Sequence, residues 1–184
     1  MPPHLPTPTT ALRRMALAML LSATALGVGH AQTTTATMDA PAAGLGMVGG
    51  SLSLETADSK GKRITAGAVR GKVAVVFFWS TRCAVCRDSL PELRANAAGW
   101  QNKPFTLLAV NLDSRKDDWL TYEKLVDQTV MPNANWLSVR LDGAAPAAQR
   151  LPLTLLVDAK GKVIARYEGR LAPEVWDGVA DLLH

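Results

Sequence analysis

Apolar runs and turn-forming stretches alternate along the chain after about residue 50. The longest runs, 72–79 (KVAVVFFW) and 105–112 (FTLLAVNL), are rich in β-branched and aromatic residues and predict two buried strands. Shorter runs and glycine-containing turns predict a hairpin near residue 58 and another near residue 160. In all, strands are predicted at 51–56, 62–65, 72–79, 105–112, 137–141, 153–158 and 162–168.

Most of the segments between these strands have apolar residues at the spacing of an α-helix. Helices are predicted at 83–98, 119–129, 144–150 and 173–183. Pro91 falls inside the first helix, where it removes one backbone donor and predicts a kink. Pro173 falls in the first turn of the last helix, where proline is well tolerated. Helices between strands, followed by a hairpin and a final helix, predict an α/β fold whose mixed sheet is covered on both faces.

The first 50 residues have a different pattern. Arg13 and Arg14 precede an apolar stretch at 15–28, and Gly29-His30-Ala31 supplies the small residues that a signal peptidase reads. We predict a signal peptide at 1–31, cleaved after Ala31, and therefore a periplasmic protein. The stretch is shorter than the roughly 20 apolar residues of a membrane-spanning helix, although an uncleaved anchor and twin-arginine export remain alternatives. Residues 32–50 are small and polar and predict a flexible tether before one domain at 51–184.

Charge narrows the possible functions only slightly. The formal charge of +4 includes the two leader arginines, so 18 basic and 16 acidic residues remain after cleavage. So small an excess does not indicate nucleic-acid binding. The chain contains no phosphate-binding glycine loop and no motif for flavin, haem or nicotinamide.

The most informative feature is a pair of cysteines, the only two in the chain. Cys83 and Cys86 follow a predicted strand at the start of a predicted helix, where unpaired amides and the helix dipole stabilise a thiolate. Cys83 should be the reactive thiol, and Cys86, one turn further, can resolve a mixed disulfide or close a small one. A structural bridge would close almost no loop and so stabilise little. Zinc would need about two more ligands, and His184 is the only histidine after the leader.

Several short motifs, in order, resemble one family. They are Phe78-Trp79-Ser80-Thr81, Cys83-Ala84-Val85-Cys86, Leu90-Pro91-Glu92-Leu93, the 109–113 run AVNLD and Leu151-Pro152-Leu153-Thr154. Together they resemble the thioredoxin superfamily, in particular the exported TlpA-like, ResA-like and DsbE-like thiol–disulfide oxidoreductases. The resemblance implies a thioredoxin-like three-layer sandwich, in which a mixed central sheet has helices on both faces. The predicted N-terminal β-hairpin and the insertion at 114–136 favour the TlpA-like branch.

The resemblance also implies roles for individual residues. Pro152 would follow a cis peptide bond and pack against the disulfide, leaving the backbone of Leu151 free to pair with an extended substrate. The alternative is an ordinary proline at the start of a strand, where the missing donor is tolerated. Trp79 would lie beside the disulfide, although a buried core aromatic explains it nearly as well. Arg82, next to Cys83, would favour its thiolate, or would simply be a solvated surface residue.

The implied activity is reduction of disulfides in exported proteins, for example in cytochrome c maturation. A membrane thiol reductase would supply the electrons, and no cofactor is expected beyond the Cys83–Cys86 disulfide. The alternatives are a disulfide-forming oxidant, a non-catalytic binding module and a copper-handling protein. A peroxiredoxin is disfavoured because Val76 and Ser80 stand where Pro and Thr are required. The sequence does not determine the oligomeric state, and a monomer is favoured.

Three departures from the family pattern affect the mechanism. Arg82 and Val85 stand where many relatives have tryptophan and proline. Phe77 replaces the buried acid that accepts a proton in thioredoxins. Glu92 or Asp113 could replace that acid only if the fold brings one of them close to the cysteines.

Overall fold

The computed structural model describes residues 46–143 and 150–183. The predicted signal peptide, the predicted tether up to residue 45 and most of the predicted helix at 144–150 lie outside these ranges. Among the described helices, none combines the length and the hydropathy needed to span a bilayer.

The centre of the domain is one mixed sheet of seven strands. The strands are β1 (Glu55–Ala57), β2 (Arg63–Thr65), β3 (Val73–Trp79), β4 (Phe105–Asn111), β5 (Trp136–Leu141), β6 (Leu153–Val157) and β7 (Val163–Glu168), in the spatial order β2-β1-β5-β4-β3-β6-β7. β4 is parallel to both β3 and β5, and the remaining pairs are antiparallel. The predicted α/β fold with a mixed sheet and an N-terminal hairpin is confirmed.

The three α-helices found in the described ranges pack on one face of this sheet. They are α1 (Ala84–Gly99), α2 (Lys116–Asp127) and α3 (Pro173–Asp181), and their buried apolar residues share one core cluster with β3 and β4. The opposite face is covered by a 3₁₀ helix (Ala66–Val69), which the sequence did not predict, and by Leu52 and Leu54. Every residue of β3 and β4 is buried, which explains why these strands are continuous apolar runs rather than alternating ones.

The described fold includes residues before residue 51, the predicted start of the domain. Gly49 donates its N–H to the Val163 carbonyl (2.8 Å), and Val163 donates to the Gly50 carbonyl (2.9 Å). The last residues of the predicted tether, 46–50, therefore belong to the folded domain. The sequence of residues 46–50 did not predict this pairing. Backbone groups form it, so it requires no pattern of apolar and polar side chains.

Candidate active site at the start of helix α1

The sheet delivers the cysteine pair to one of its ends. β3 stops at Trp79, residues 80–82 form a short loop, and Cys83 caps α1 in an extended conformation (φ −88°, ψ 104°). The Cys83 sulfur accepts the backbone N–H of Cys86 at 3.1 Å. The two cysteines are joined by a disulfide, with a Sγ–Sγ distance of 2.11 Å. The strand-to-helix placement predicted from the sequence is thus present.

The two sulfurs differ in their access to other molecules. Cys83 is partly exposed, whereas Cys86 is 0% exposed and packs in the helix-side core. Another protein can reach only the first of these sulfurs. In thiol–disulfide exchange the accessible, thiolate-forming sulfur makes the bond with the substrate, and the neighbouring sulfur resolves it.

The electrostatic setting of Cys83 favours a thiolate. The first turn of α1 contains no acidic residue, so no side chain of that turn opposes its free amide groups and the positive end of the helix dipole. Arg82 is exposed, and its nearest described partner is Asp118, at 4.0 Å. Arg87 donates from Nη1 to the Thr81 carbonyl at 2.9 Å. Both arginines are exposed, but only Arg87 has a described side-chain hydrogen bond to the loop before the cysteines.

Pro152 lies at the same end of the sheet as the cysteines. The Leu151–Pro152 peptide bond is cis, Pro152 is buried and Leu151 is partly buried. In the register between β3 and β6, Leu153 is opposite Phe78, so the preceding residue falls beside the end of β3. The Pro152 carbonyl accepts the N–H of Gly169 at 2.8 Å.

Trp79 belongs to the core that surrounds Cys86. It is 1% exposed and makes an edge contact with Tyr122 of α2, with ring centroids 4.9 Å apart. Cys86 lies in the same buried cluster. Trp79 is therefore a buried core aromatic in the same cluster as Cys86. Its direct contact with the disulfide stays a prediction.

Neither carboxylate considered as a proton acceptor has a described bond to a cysteine. Glu92 accepts the indole N–H of Trp176 at 2.9 Å and lies 3.7 Å from the Arg170 guanidinium. Asp113 accepts hydrogen bonds from Ser80 and Thr81. Phe77, at the position of the family acid, is 1% exposed and packs in the core. These contacts do not support Glu92 or Asp113 as the acceptor of the Cys86 proton.

The Asp113 contacts are the part of the site that sequence reasoning missed. This side chain is only 6% exposed and belongs to a polar cluster at the ends of three adjacent strands. A signal was available, since AVNLD ends a buried strand with two polar side chains. The carboxyl ends of parallel strands meet at one edge of a sheet, so polar residues there become neighbours.

Comparisons with known proteins agree with this geometry. The chain is 25% identical over 121 residues to the thiol–disulfide oxidoreductase ResA of Bacillus cereus, a match that covers 66% of this chain and 69% of the relative. Among solved structures, it superposes on the thioredoxin domain of a thiol–disulfide oxidoreductase from Bacteroides vulgatus with a TM-score of 0.61 at 22% identity, covering 75% of this chain and 99% of the other.

A thio-disulfide isomerase from Thermus thermophilus gives a TM-score of 0.54 at 24% identity, covering 74% of this chain and 96% of the other. At these identities the solved structures establish the thioredoxin-like fold. A family match extends over residues 50–178, which includes every strand and the cysteine pair. The chain belongs to the AhpC/TSA family.

Proposed function

We propose that this protein is an exported thiol–disulfide oxidoreductase that reduces disulfides of other exported proteins through Cys83 and Cys86. The observation that carries the proposal is the asymmetry of the pair. A partly exposed sulfur caps a helix, and its completely buried partner lies one turn away. A purely structural bridge needs neither the helix start nor the difference in exposure.

The reaction consists of two exchange steps. The Cys83 thiolate attacks one sulfur of a substrate disulfide, forms a mixed disulfide and releases the other substrate sulfur as a thiolate. Cys86 then gives its proton to water and attacks the Cys83 sulfur, which releases the second substrate thiol. Two electrons pass to the substrate, and the protein is left with the Cys83–Cys86 disulfide. A dithiol of a membrane reductase would restore the reduced pair by the reverse exchange.

The surface around Cys83 would bind an extended segment of the substrate. The backbone of Leu151, before the cis Pro152, lies at the same end of the sheet as the cysteine pair and would pair with that segment. Arg82 and Val85 are both exposed next to Cys83 and would contact its side chains. Trp79 would support this surface from the core.

The direction of electron flow is the finer part of the proposal. Thiolate stabilisation at a helix start raises the reduction potential and favours an oxidant. The resemblance to TlpA-like and ResA-like proteins favours a reductase, and cytochrome c maturation is the setting that it implies. A reduction potential near that of thioredoxin, about −270 mV, supports the reductase, and one above that of protein disulfide isomerase, about −180 mV, contradicts it.

Trapping of the mixed disulfide tests the mechanism. In Cys86→Ala the second step is blocked, so substrates should accumulate as covalent complexes through Cys83 in a periplasmic extract. The matched variant Cys83→Ala retains only the buried sulfur and should trap nothing. If Cys83→Ala traps partners and Cys86→Ala does not, the assigned roles are reversed.

Three further experiments test the alternatives and the location. Titration with defined glutathione ratios separates a catalytic disulfide, which responds, from an inert bridge in a binding module, which resists reduction. Cell fractionation with N-terminal sequencing tests export and cleavage after Ala31. A peroxidase assay is also informative, because the AhpC/TSA family match raises that activity. We expect none, since Ser80 occupies the required threonine position and donates its hydroxyl proton to Asp113.

A further inference from the structure

We infer that Asp113 is a positioning residue for Cys83. Its buried carboxylate holds the 80–82 loop in the conformation that places the cysteine at the start of α1. The inference rests on the proposed function, because it concerns the reactivity of the same sulfur. It assigns a role to a residue that lies 30 positions away in sequence and on a different strand end.

Asp113 is bound directly to the loop. The Ser80 hydroxyl donates to Oδ1, and the Thr81 N–H donates to the two carboxylate oxygens at 3.1 and 3.2 Å. Asp113 is only 6% exposed, so water competes little for these bonds. Hydrogen bonds to an ionised acceptor are roughly twice as strong as neutral ones. The first two residues of the loop are therefore fixed to the end of β4.

Ser80 transmits this restraint to the cysteine. The Ser80 hydroxyl donates its hydrogen bond to Asp113, so its oxygen is free to act as an acceptor. That oxygen accepts the Arg82 N–H at 3.2 Å. The Ser80 carbonyl accepts the Cys83 N–H at 3.0 Å. Residues 80 and 81 are thus hydrogen-bonded directly to Asp113, and residue 82 is bonded to it through Ser80.

Asp113 is itself held from both sides. Asn111 donates from Nδ2 to Oδ2 at 2.9 Å and accepts the Asp113 N–H at 3.0 Å. Arg140 of β5 donates from Nη2 to the Asp113 carbonyl at 2.8 Å. Trp79, Asn111 and Arg140 share one register row across β3, β4 and β5. The restraint on the loop therefore originates in three adjacent strand ends rather than in the loop.

Asp113 could affect Cys83 through its charge or by positioning the loop, and the two roles predict opposite changes in the reactivity of the thiol when Asp113 is removed. A buried carboxylate near Cys83 disfavours a second negative charge, so its removal should make the thiol more reactive if charge is what matters. Loss of the loop restraint should make the thiol less reactive, because Cys83 would no longer be held at the helix start. The sign of the change distinguishes the two roles.

The test is the rate at which iodoacetamide alkylates Cys83 in the reduced protein, followed by mass spectrometry from pH 4 to pH 9. Asp113→Ala should slow alkylation at pH 7 by about fivefold, which is the size expected when a charged group loses its place at a helix end. The midpoint of the curve of alkylation rate against pH should move to higher pH. Asp113→Asn should have a smaller effect, because its amide oxygen still accepts one bond. Rates equal to or above the unsubstituted protein in both variants would overturn the inference.

Two more variants separate positioning from general destabilisation. Asn135 is 5% exposed at the opposite end of the sheet and donates to the Trp100 carbonyl at 2.6 Å. Asn135→Ala should lower stability without changing the alkylation profile. Ser80→Ala removes only the hydroxyl that links Asp113 to Arg82, and it should slow alkylation. It therefore tests the inference even if Asp113→Ala does not fold. A slowed rate in Asn135→Ala, or an unchanged rate in Ser80→Ala, would contradict the inference.

Failure of this inference is distinguishable from failure of the proposed function. If oxidised glutathione re-forms the disulfide readily but the Asp113 variants alkylate as fast as the unsubstituted protein, only the inference fails. If glutathione neither reduces nor re-forms the disulfide, and only a strong reductant yields the thiol form, but the Asp113 variants of that form alkylate more slowly as expected here, the proposed catalytic cycle fails and the positioning role stands.

Discussion

At the scale of single residues, Cys83 owes its expected reactivity to its place rather than to its identity. Cys86 has the same chemistry but is completely buried, while Cys83 is partly exposed and caps a helix. The sequence predicted both positions because a buried strand and a helical pattern meet at this motif. The Asp113 contacts were not predicted, since Ser80 and Asp113 are 33 positions apart and only the meeting of strand ends at one edge of the sheet connects them.

The charge of Arg82 should have a small effect on the same sulfur. We expect Arg82→Ala to slow alkylation of reduced Cys83 at pH 7 by about twofold to fivefold, because an exposed cation near a thiolate is worth roughly 0.3–1 kcal/mol and is screened by salt. The difference should shrink in 0.5 M salt. Arg115 also lies near Asp118, at 3.7 Å, and Arg115→Ala serves as the matched control. An equal effect of both variants would show that the charge acts through Asp118.

At the scale of elements, the accuracy of the sequence prediction follows the apolar pattern. The predicted bounds of β3 and β4 are correct within one residue at each end, because these strands are buried on both faces. α2 begins at Lys116, three residues before its prediction, since Asp117 and Asp118 stabilise the first turn through the helix dipole but add no apolar spacing. The 3₁₀ helix buries only Val69 and leaves no periodicity to detect.

The groove between α1 and α2 gives a pH-dependent prediction. This cavity, of about 730 Å³, is lined by Arg94, Glu123, Asp127 and Trp136, and the Arg94 guanidinium lies 4.5 Å from the Trp136 ring. Burial raises the pKa of Glu123 above its ordinary 4.5; the Ser138 hydroxyl and the Arg94 charge oppose this shift, and Asp127 adds to it. The folded state therefore binds this proton more tightly than the unfolded state does.

Ionisation of Glu123 thus costs folding free energy, a cost that is present above the raised pKa and absent below 4.5. We expect Glu123→Gln to be more stable than the unsubstituted protein at pH 7, with the difference vanishing as the pH falls below 4.5. Urea unfolding across this pH range measures it. Asp177→Asn, on the exposed face of α3, is the control and should show no such convergence. A Glu123→Gln variant that is less stable at pH 7 would contradict the assignment.

At the scale of the whole molecule, stability and electron flow are linked. Folding and reduction form a closed thermodynamic cycle, so the folded protein is more stable in whichever redox state its fold favours. A fold that lowers the potential of the Cys83–Cys86 pair relative to the unfolded chain must be more stable when oxidised. A fold that stabilises the Cys83 thiolate strongly must be more stable when reduced. Global stability therefore reports on the direction of the reaction.

This linkage gives a test of direction that needs no knowledge of the substrate. As a reductase, the protein should resist urea better when oxidised than when reduced, by about 1.4 kcal/mol for each 30 mV by which its potential lies below that of a blocked Cys-Ala-Val-Cys peptide. Unfolding of both forms at pH 7, together with glutathione titration of the protein and the peptide, measures both sides of the cycle. Greater stability of the reduced form would identify an oxidant. Only a fold that stabilises the Cys83 thiolate more than it stabilises the disulfide can make the unfolding free energy larger for the reduced protein.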